Sequence, residues 1–451
     1  MATLDPVTTA TQLATAYTEP LQQQLTLQTQ AAQKQSNALN TLRSALSAFD
    51  SALSSLSSSN GLKQFSASFS ASGIASATTT SKAQAGTYQF HVEQIATAHQ
   101  IVFEDLPAVP VALGGPIIVQ LADGTSINLN LVAADTDSDG TISQAEIARA
   151  INQAEDNQGK VIASVVTSGG QTQLLLTSAK TGEAGEISID ASGLPAGALR
   201  DALSNARELT AAQDAVVWLG GQGGIRMQQG SNTFTGIEGV SVTFTRAMTA
   251  SEAPLTLTVN DDVSATADNV QKFITAYNTL RTVLDSLTKS GTENASAAVF
   301  ASDAGIRSLG SRLNSLLRTE YDGVSLTALG VKADRNGQLS LEKSRLEKAL
   351  QADPNALDKV FGKASLTQPT GLLGSMSSYL DQWLGSGDGQ IASRQNSLQV
   401  LQKNLAARQT RLDAQYESAF QRYLQQFTQL QSLQAQMNQT MGLFALVSSD
   451  S

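Results

Sequence analysis

Twelve consecutive residues, Asp135-Thr136-Asp137-Ser138-Asp139-Gly140-Thr141-Ile142-Ser143-Gln144-Ala145-Glu146, hold the densest chemistry in the chain. Their order fits the EF-hand calcium loop at every key position. Asp135, Asp137 and Asp139 are expected to supply carboxylates, Thr141 a backbone carbonyl, Ser143 a direct or water-mediated contact, and Glu146 a bidentate carboxylate. Gly140 permits the sharp turn and Ile142 points to the core. Four carboxylates this close repel one another unless a cation offsets them. The competing reading is a solvated acidic turn that caps a helix. The full pattern favours Ca2+ as a structural cofactor, bound at roughly 10⁻⁴ to 10⁻³ M because no second loop is present to pair with it.

Other chemistry is thin. His91 and His99 are the only histidines and sit in a β-region without an Asp-Ser partner pattern, so a triad is not expected. Gly220-Gly221-Gln222-Gly223-Gly224 lacks the P-loop lysine and opens no helix, so it reads as a turn. Trp218 and Trp383 read as packing anchors. Cysteine is absent, which excludes disulfides, thiolate nucleophiles and cysteine-ligated zinc. No catalytic constellation emerges, and the expectation is a protein that is not an enzyme.

The loop needs elements to hold it. Ile127, Leu129 and Leu131 alternate before it as a strand, and Glu146 to Ala154 continue after it as a helix, giving a strand-loop-helix. Around this lies a longer β-region. Strands read at Phe65–Ala71, Thr87–Val92, Pro116–Leu121, Val161–Val166, Gln173–Thr177, Glu186–Ile189, Ala215–Trp218, Ser241–Phe244 and Leu255–Val259, with a short helix near Gly197–Asn205. Helix resumes with the stripe Val270, Phe273, Ile274, Tyr277, Leu280, Leu284, Leu287. A hairpin reads at Leu329–Leu341 around Asn336-Gly337, a type I′ signal. Helices follow at Ser344–Gln351 and Asn355–Phe361.

Both ends are long helices. Ile391, Leu398, Leu401, Leu405, Leu412, Tyr416, Ala419, Tyr423, Phe427, Leu430, Leu433, Met437 and Phe444 recur at threes, fours and sevens, with Gln and Arg between them. Leu21, Leu25, Ala32, Leu39, Leu42, Leu46, Phe49, Leu53 and Leu56 form a matching stripe, with Pro20 expected in its first turn and Asn60-Gly61 as its cap. A narrow apolar seam cannot bury itself, so the two ends are expected to pair. The fold class is therefore α+β multidomain: terminal coiled-coil helices and a helical stalk domain with an inserted β-rich two-part head. The expected parts are legs at 1-40 and 396-451, a stalk at 41-66 and 264-395, an inner head at 67-107 and 228-263, and an outer head at 108-227.

A net charge of −10 argues against nucleic-acid binding, which depends on Lys and Arg. No run approaches the length of a membrane span. Met1 to Tyr17 show neither a basic n-region nor an apolar h-region, so no cleaved signal peptide is expected.

Several local matches in one order carry a family resemblance. They include Gly86-Thr87-Tyr88 leading to Ile95-Ala96, the Ile151-Asn152 pair before Val161–Val165, and Ser231-Asn232 before Gly239-Val240. Phe273-Ile274-Thr275-Ala276-Tyr277-Asn278-Thr279-Leu280 is the most specific, and Asp353-Pro354 leads on to Val360-Phe361. Over nearly the whole chain the sequence resembles the flagellar filament cap (FliD, second hook-associated protein) family. The resemblance implies an extracellular protein at the filament tip, exported by the flagellar type III apparatus with the help of an export chaperone. It implies a ring-like homo-oligomer, usually a pentamer, that guides flagellin into place and neighbours the hook-filament junction proteins. It does not supply the acidic loop, which is a feature of this chain. The alternative from another class is an adhesin whose head binds host mucin or other glycans.

Overall fold

A computed structural model of the chain describes residues 5–57, 61–364 and 368–449. It divides into two compact units, Met1–Ser58 with Ser264–Ser451 and Ser59–Val263. The first is helical and the second β-rich, so the fold is α+β with long terminal helices bracketing the β insert.

In the helical unit, Pro6–Ser57 and Gln390–Ser449 lie antiparallel. Ala10, Ala14, Thr18, Leu25 and Ala32 are buried on one helix and Leu405, Leu412 and Ala419 on the other, the seven-residue spacing of a coiled-coil seam. Small residues at so many seam positions bring the backbones close. Polar pairs flank the seam: Arg408 Nη1 donates to Gln28 Oε1 (2.9 Å) and Gln395 Nε2 to Asn40 Oδ1 (3.1 Å). Further along, Phe49 meets Phe273 (6.3 Å between ring centroids) and Tyr277 (6.1 Å) of the Val263–Thr288 helix, and Phe273 stands edge-on to Phe361. This aromatic cluster fixes the base of the terminal helix.

Two details depart from the sequence reading. The first helix begins at Pro6 and runs through Pro20, which lies inside it. Proline there forfeits one i→i−4 bond, and the seam on both sides of it (Thr18, Leu25) holds the helix together across the gap. The hairpin of Val331–Ala333 and Leu339–Leu341 does not turn through a type I′ loop, because only Gly337 (φ +79°) adopts positive φ and Asn336 does not. Asp334 organises the turn instead, its Oδ1 accepting the N–H groups of Asn336 and Gln338, both at 2.8 Å. Gly61 has a left-handed φ of +52°, but it lies four residues beyond Ser57, where the described helix ends; Asn60 lies outside the described residues, as does the side chain of Phe444.

The β unit contains two cores. One sheet runs in the order Phe65–Phe69, Leu255–Asp261, Gly86–Gln94, Ala215–Leu219, Ile225–Gln229. It shares a core with the sheet Thr233–Ile237, Val240–Phe244, Ala75–Thr79, built on Phe90, Val217, Phe234, Phe244 and Leu257. The other core lies between the four-stranded sheet Arg207–Thr210, Ala98–Phe103, Gln171–Thr181, Val161–Ser168 and the three-stranded sheet Ile187–Asp190, Pro116–Leu121, Ser126–Asn130. Helices Gln144–Gln153 and Ala198–Leu203 pack into this second core through Ile147, Ile151, Leu199 and Leu203. All pairings in both cores are antiparallel. Side chains part the cores between Ala96 and Ile101 and between Leu203 and Ala215. The sequence reading sets the parts of the head at 107/108 and 227/228; strand pairing is non-local, and no local signal in the chain marks where one core gives way to the other.

Candidate functional site

The acidic loop hangs between the strand Ser126–Asn130 and the helix Gln144–Gln153. Two residues at its tip turn left-handed, Ser138 (φ +61°) and Gly140 (φ +81°), so the chain folds back on itself within six residues. Each aspartate then spends one oxygen on a nearby backbone N–H. Asp135 Oδ2 accepts from Gly140 (3.1 Å), Asp137 Oδ1 from Asp139 (3.2 Å) and Asp139 Oδ1 from Thr141 (2.7 Å). The Thr141 hydroxyl also donates to Asp139 Oδ1 at 2.7 Å. These bonds aim the three carboxylates at one another, with a ligand oxygen from each lying within 4.8 Å of the others. Asp135 Oδ1 is buried and has no hydrogen-bond partner. A buried anion oxygen left unpaired is costly, and a hard cation with oxygen ligands is the group that would satisfy it.

Glu146 closes the loop from the helix side. Its Oε1 accepts the Thr136 N–H (2.9 Å), and its Oε2 accepts the N–H and hydroxyl of Ser143 (both 2.9 Å). The Ser143 hydroxyl in turn accepts the Glu146 N–H, completing a capping box at the helix start. Although Glu146 is only 3% exposed, its carboxyl is held below the ordinary range, chiefly by the Ser143 N–H. So the structure converges Asp135, Asp137 and Asp139 and wraps Glu146 around the same loop. The Ser143 hydroxyl is spent on the cap. Thr141 sits in a short strand with Ile142, and that strand pairs with Val109–Pro110.

Three supports escaped the sequence reading. Val109–Pro110 buttresses the loop from outside its local sequence, and Arg149 reaches back from the helix to the Thr136 hydroxyl. Asn152 and Asn157 tie the helix and its following turn to the adjacent strand, as described below. The arginine, three residues after Glu146 on the same helix, had a local signal, and Asn152 was marked only by the family resemblance of the Ile151-Asn152 pair.

The remaining candidates are structural. His99 is buried with its Nδ1 accepting the Ile187 N–H at 2.7 Å, and His91 is buried in the Gly86–Gln94 strand. Gly220–Gly224 makes the tight hairpin joining Ala215–Leu219 to Ile225–Gln229, with three of its glycines at positive φ. Trp383 is buried under Arg394, and Trp218 Nε1 donates to Glu93 (2.6 Å). Among the described residues no helix is long and apolar enough to cross a membrane.

The chain is an α+β protein whose paired terminal helices bracket an antiparallel β insert. Two family profiles, "Flagellar hook-associated protein 2 N-terminus" and "Flagellar hook-associated protein 2 C-terminus", match residues 2–99 and 212–439. The lateral flagellar hook-associated protein 2 of Vibrio parahaemolyticus is 37% identical over 98% of this chain and 100% of its own length. The B-type flagellar hook-associated protein 2 of Pseudomonas aeruginosa is 29% identical, over 85% and 87%. The crystal structure of the D1-D2-D3 domains of the Escherichia coli flagellar cap protein FliD superposes with a TM-score of 0.64 at 25% identity. That match covers 80% of this chain and 99% of the other. The chain belongs to the flagellar hook-associated protein 2 family, the structural FliD proteins of the flagellar cap.

Proposed function

We propose that this protein caps the distal end of a flagellar filament as a ring-like homo-oligomer and guides flagellin subunits into place. The expected ring is a pentamer, with a flagellar type III export chaperone and the hook-filament junction proteins as further partners. The observation that carries the reading is an unfilled seam. Gln22 lies against Gln409, so the start of the first helix at Pro6 falls opposite the region of Gln425, while the last helix continues to Ser449. Along that extension Leu430, Leu433, Met437 and Met441 keep the stripe spacing and stand exposed. An apolar stripe of this kind is a surface for a partner helix, and a terminal helix of flagellin is the partner the family context supplies.

The head has a separate task. One Ca2+ ion bound by Asp135, Asp137, Asp139, the Thr141 carbonyl and Glu146, with Ser143 at second remove, would tie the loop to the second core of the β unit and stiffen it. Support comes from the converged carboxylates and the unpaired Asp135 oxygen.

Deleting the gene tests the capping role. The expected result is unpolymerised flagellin in the medium and poor swimming, restored by the wild-type chain but not by Leu433→Gln with Met437→Gln. Normal swimming together with lost attachment to mucin would overturn the cap in favour of an adhesin.

A further inference from the structure

The strand Val161–Ser168 is an edge of its four-stranded sheet, and its outward side is dealt with in two different ways. Odd-numbered residues turn their backbone N–H and C=O away from the neighbouring strand. At Val161 both groups are taken by the Asn157 side chain: Oδ1 accepts the N–H and Nδ2 donates to the C=O, each at 2.8 Å. At Ala163 the Asn152 side chain does the same, at 2.9 and 2.7 Å. A side-chain amide offers a donor and an acceptor side by side, as a peptide group does, so these two asparagines stand in for the next strand. The surrogate then stops. Val165 and Thr167 face outward with no amide to meet them, on an arm that runs past the end of the Ala98–Phe103 strand to the turn at Gly169-Gly170.

Open edges are normally protected by charge, proline or a bulge. This one has none of them: no Asp, Glu, Lys, Arg or Pro occurs between Lys160 and Lys180. The strand instead exposes Ile162 (53%), and the arm exposes Val165 (36%) and Val166 (44%). A neutral edge opposes no like charges when it meets a copy of itself, and it offers nothing to a charged partner. We infer that the Val165–Thr167 edge is a two-fold contact between two copies of this chain, paired antiparallel.

The register follows from which groups are open. Antiparallel residues facing each other across a hydrogen-bonded pair must both point outward, and Ala163 is already occupied. The register that uses both open residues without displacing Asn152 sets Val165 opposite Thr167 of the second copy. Val166 then lies on the two-fold axis, facing its own counterpart in a non-hydrogen-bonded pair. Such a contact is isologous and cannot close a ring of more than two subunits. It goes beyond the cap reading and joins heads in twos, whether of free chains or of assembled rings.

The absence of cysteine makes the test direct. In Val166→Cys the new thiols meet at about 4.5 Å between Cα atoms, within disulfide range. Oxidation of the full-length variant should yield a linked dimer at least tenfold faster than Ile162→Cys, whose side chain is the more exposed but faces the turn of the second copy. Adding Thr167→Pro removes one outward N–H that makes no bond among the described residues, and should slow the Val166→Cys link about tenfold with the unfolding midpoint held. Equal rates for the two cysteine variants, or a Val166→Cys rate unchanged by Thr167→Pro, would show random collision and overturn the inference.

Discussion

Gln22 and Gln409 bond each other in both directions across the terminal helix pair: Gln22 Nε2 donates to Gln409 Oε1 (3.2 Å) and Gln409 Nε2 to Gln22 Oε1 (3.0 Å). Both side chains are half-buried beside the Leu25, Ala32, Leu405, Leu412 cluster. A seam of small residues packs nearly as well after a slip of one turn, whereas a reciprocal amide pair is satisfied in one register only. Gln409→Leu should therefore destabilise the helix pair by about 1 kcal/mol, since it strands the Gln22 amide. Gln22→Leu combined with Gln409→Leu should recover that loss. Thermal unfolding followed by circular dichroism measures the cycle, and simple addition of the two single effects would show that the pair is uncoupled.

Asp303 joins a second long-range relationship to pH. Its Oδ1 caps the Ala304–Arg318 helix by accepting the Ile306 N–H (3.0 Å), and Arg394 Nη2 of the last helix donates to it at 3.3 Å. Burial pushes the carboxyl up, but the Ile306 N–H and the Arg394 guanidinium outweigh it, so Asp303 stays below its ordinary 3.8. A carboxyl depressed in the folded state contributes stability that is present above its unfolded pKa and lost as pH falls through the folded one. Asp303→Asn keeps a capping oxygen and loses the charge. Its deficit in urea unfolding should be clear at pH 7 and shrink toward zero near pH 3. A deficit equal at both pH values would assign the effect to packing.

What the sequence disclosed follows from range. The acidic loop was readable because its ligands lie within twelve residues, and the terminal seam because Leu405, Leu412 and Ala419 repeat at sevens. The partner of Thr141–Ile142, Val109–Pro110, lies some thirty residues upstream, and nothing in that dipeptide announces the pairing. Pro20 looked like a helix start because proline is at home there, yet pairing along the whole seam overrode that local preference. Asn336-Gly337 looked like a type I′ turn until Asp334, two residues before it, captured the backbone N–H groups. The glutamines gave a polar flank, but which of a dozen meets Gln22 is decided by the antiparallel register alone.

Asn152 and Asn157 should differ in cost when truncated. Asn157 is almost wholly buried (1% exposed) and serves three backbone groups: the N–H and C=O of Val161 and the Ile151 C=O. Asn152 is exposed and serves two. Asn152→Ala should cost about 1–3 kcal/mol, and Asn157→Ala more, because its stranded partners are cut off from water. Chemical denaturation of the two variants ranks them. The reverse order would mean that the Asn157 turn rearranges to satisfy its own groups.

Glu146 allows metal binding to be separated from helix capping. Glu146→Gln keeps one oxygen for the Ser143 N–H and gives up the bond to the Thr136 N–H, and glutamine serves at this position of a capping box. What it loses is the charge of the bidentate ligand that the loop pattern calls for. Glu146→Gln and Asp135→Asn should therefore abolish the heat of Ca2+ binding in calorimetry while leaving the far-ultraviolet spectrum unchanged. In the wild type, Ca2+ at ten times its Kd should stabilise the β unit by about 1.4 kcal/mol, and chelation should remove that gain. The two effects must move together. A wild-type chain whose unfolding midpoint ignores Ca2+, or a binding heat that survives both substitutions, would leave the loop as a capped acidic turn. Asp135 Oδ1 would then be a buried oxygen tolerated at a cost to stability.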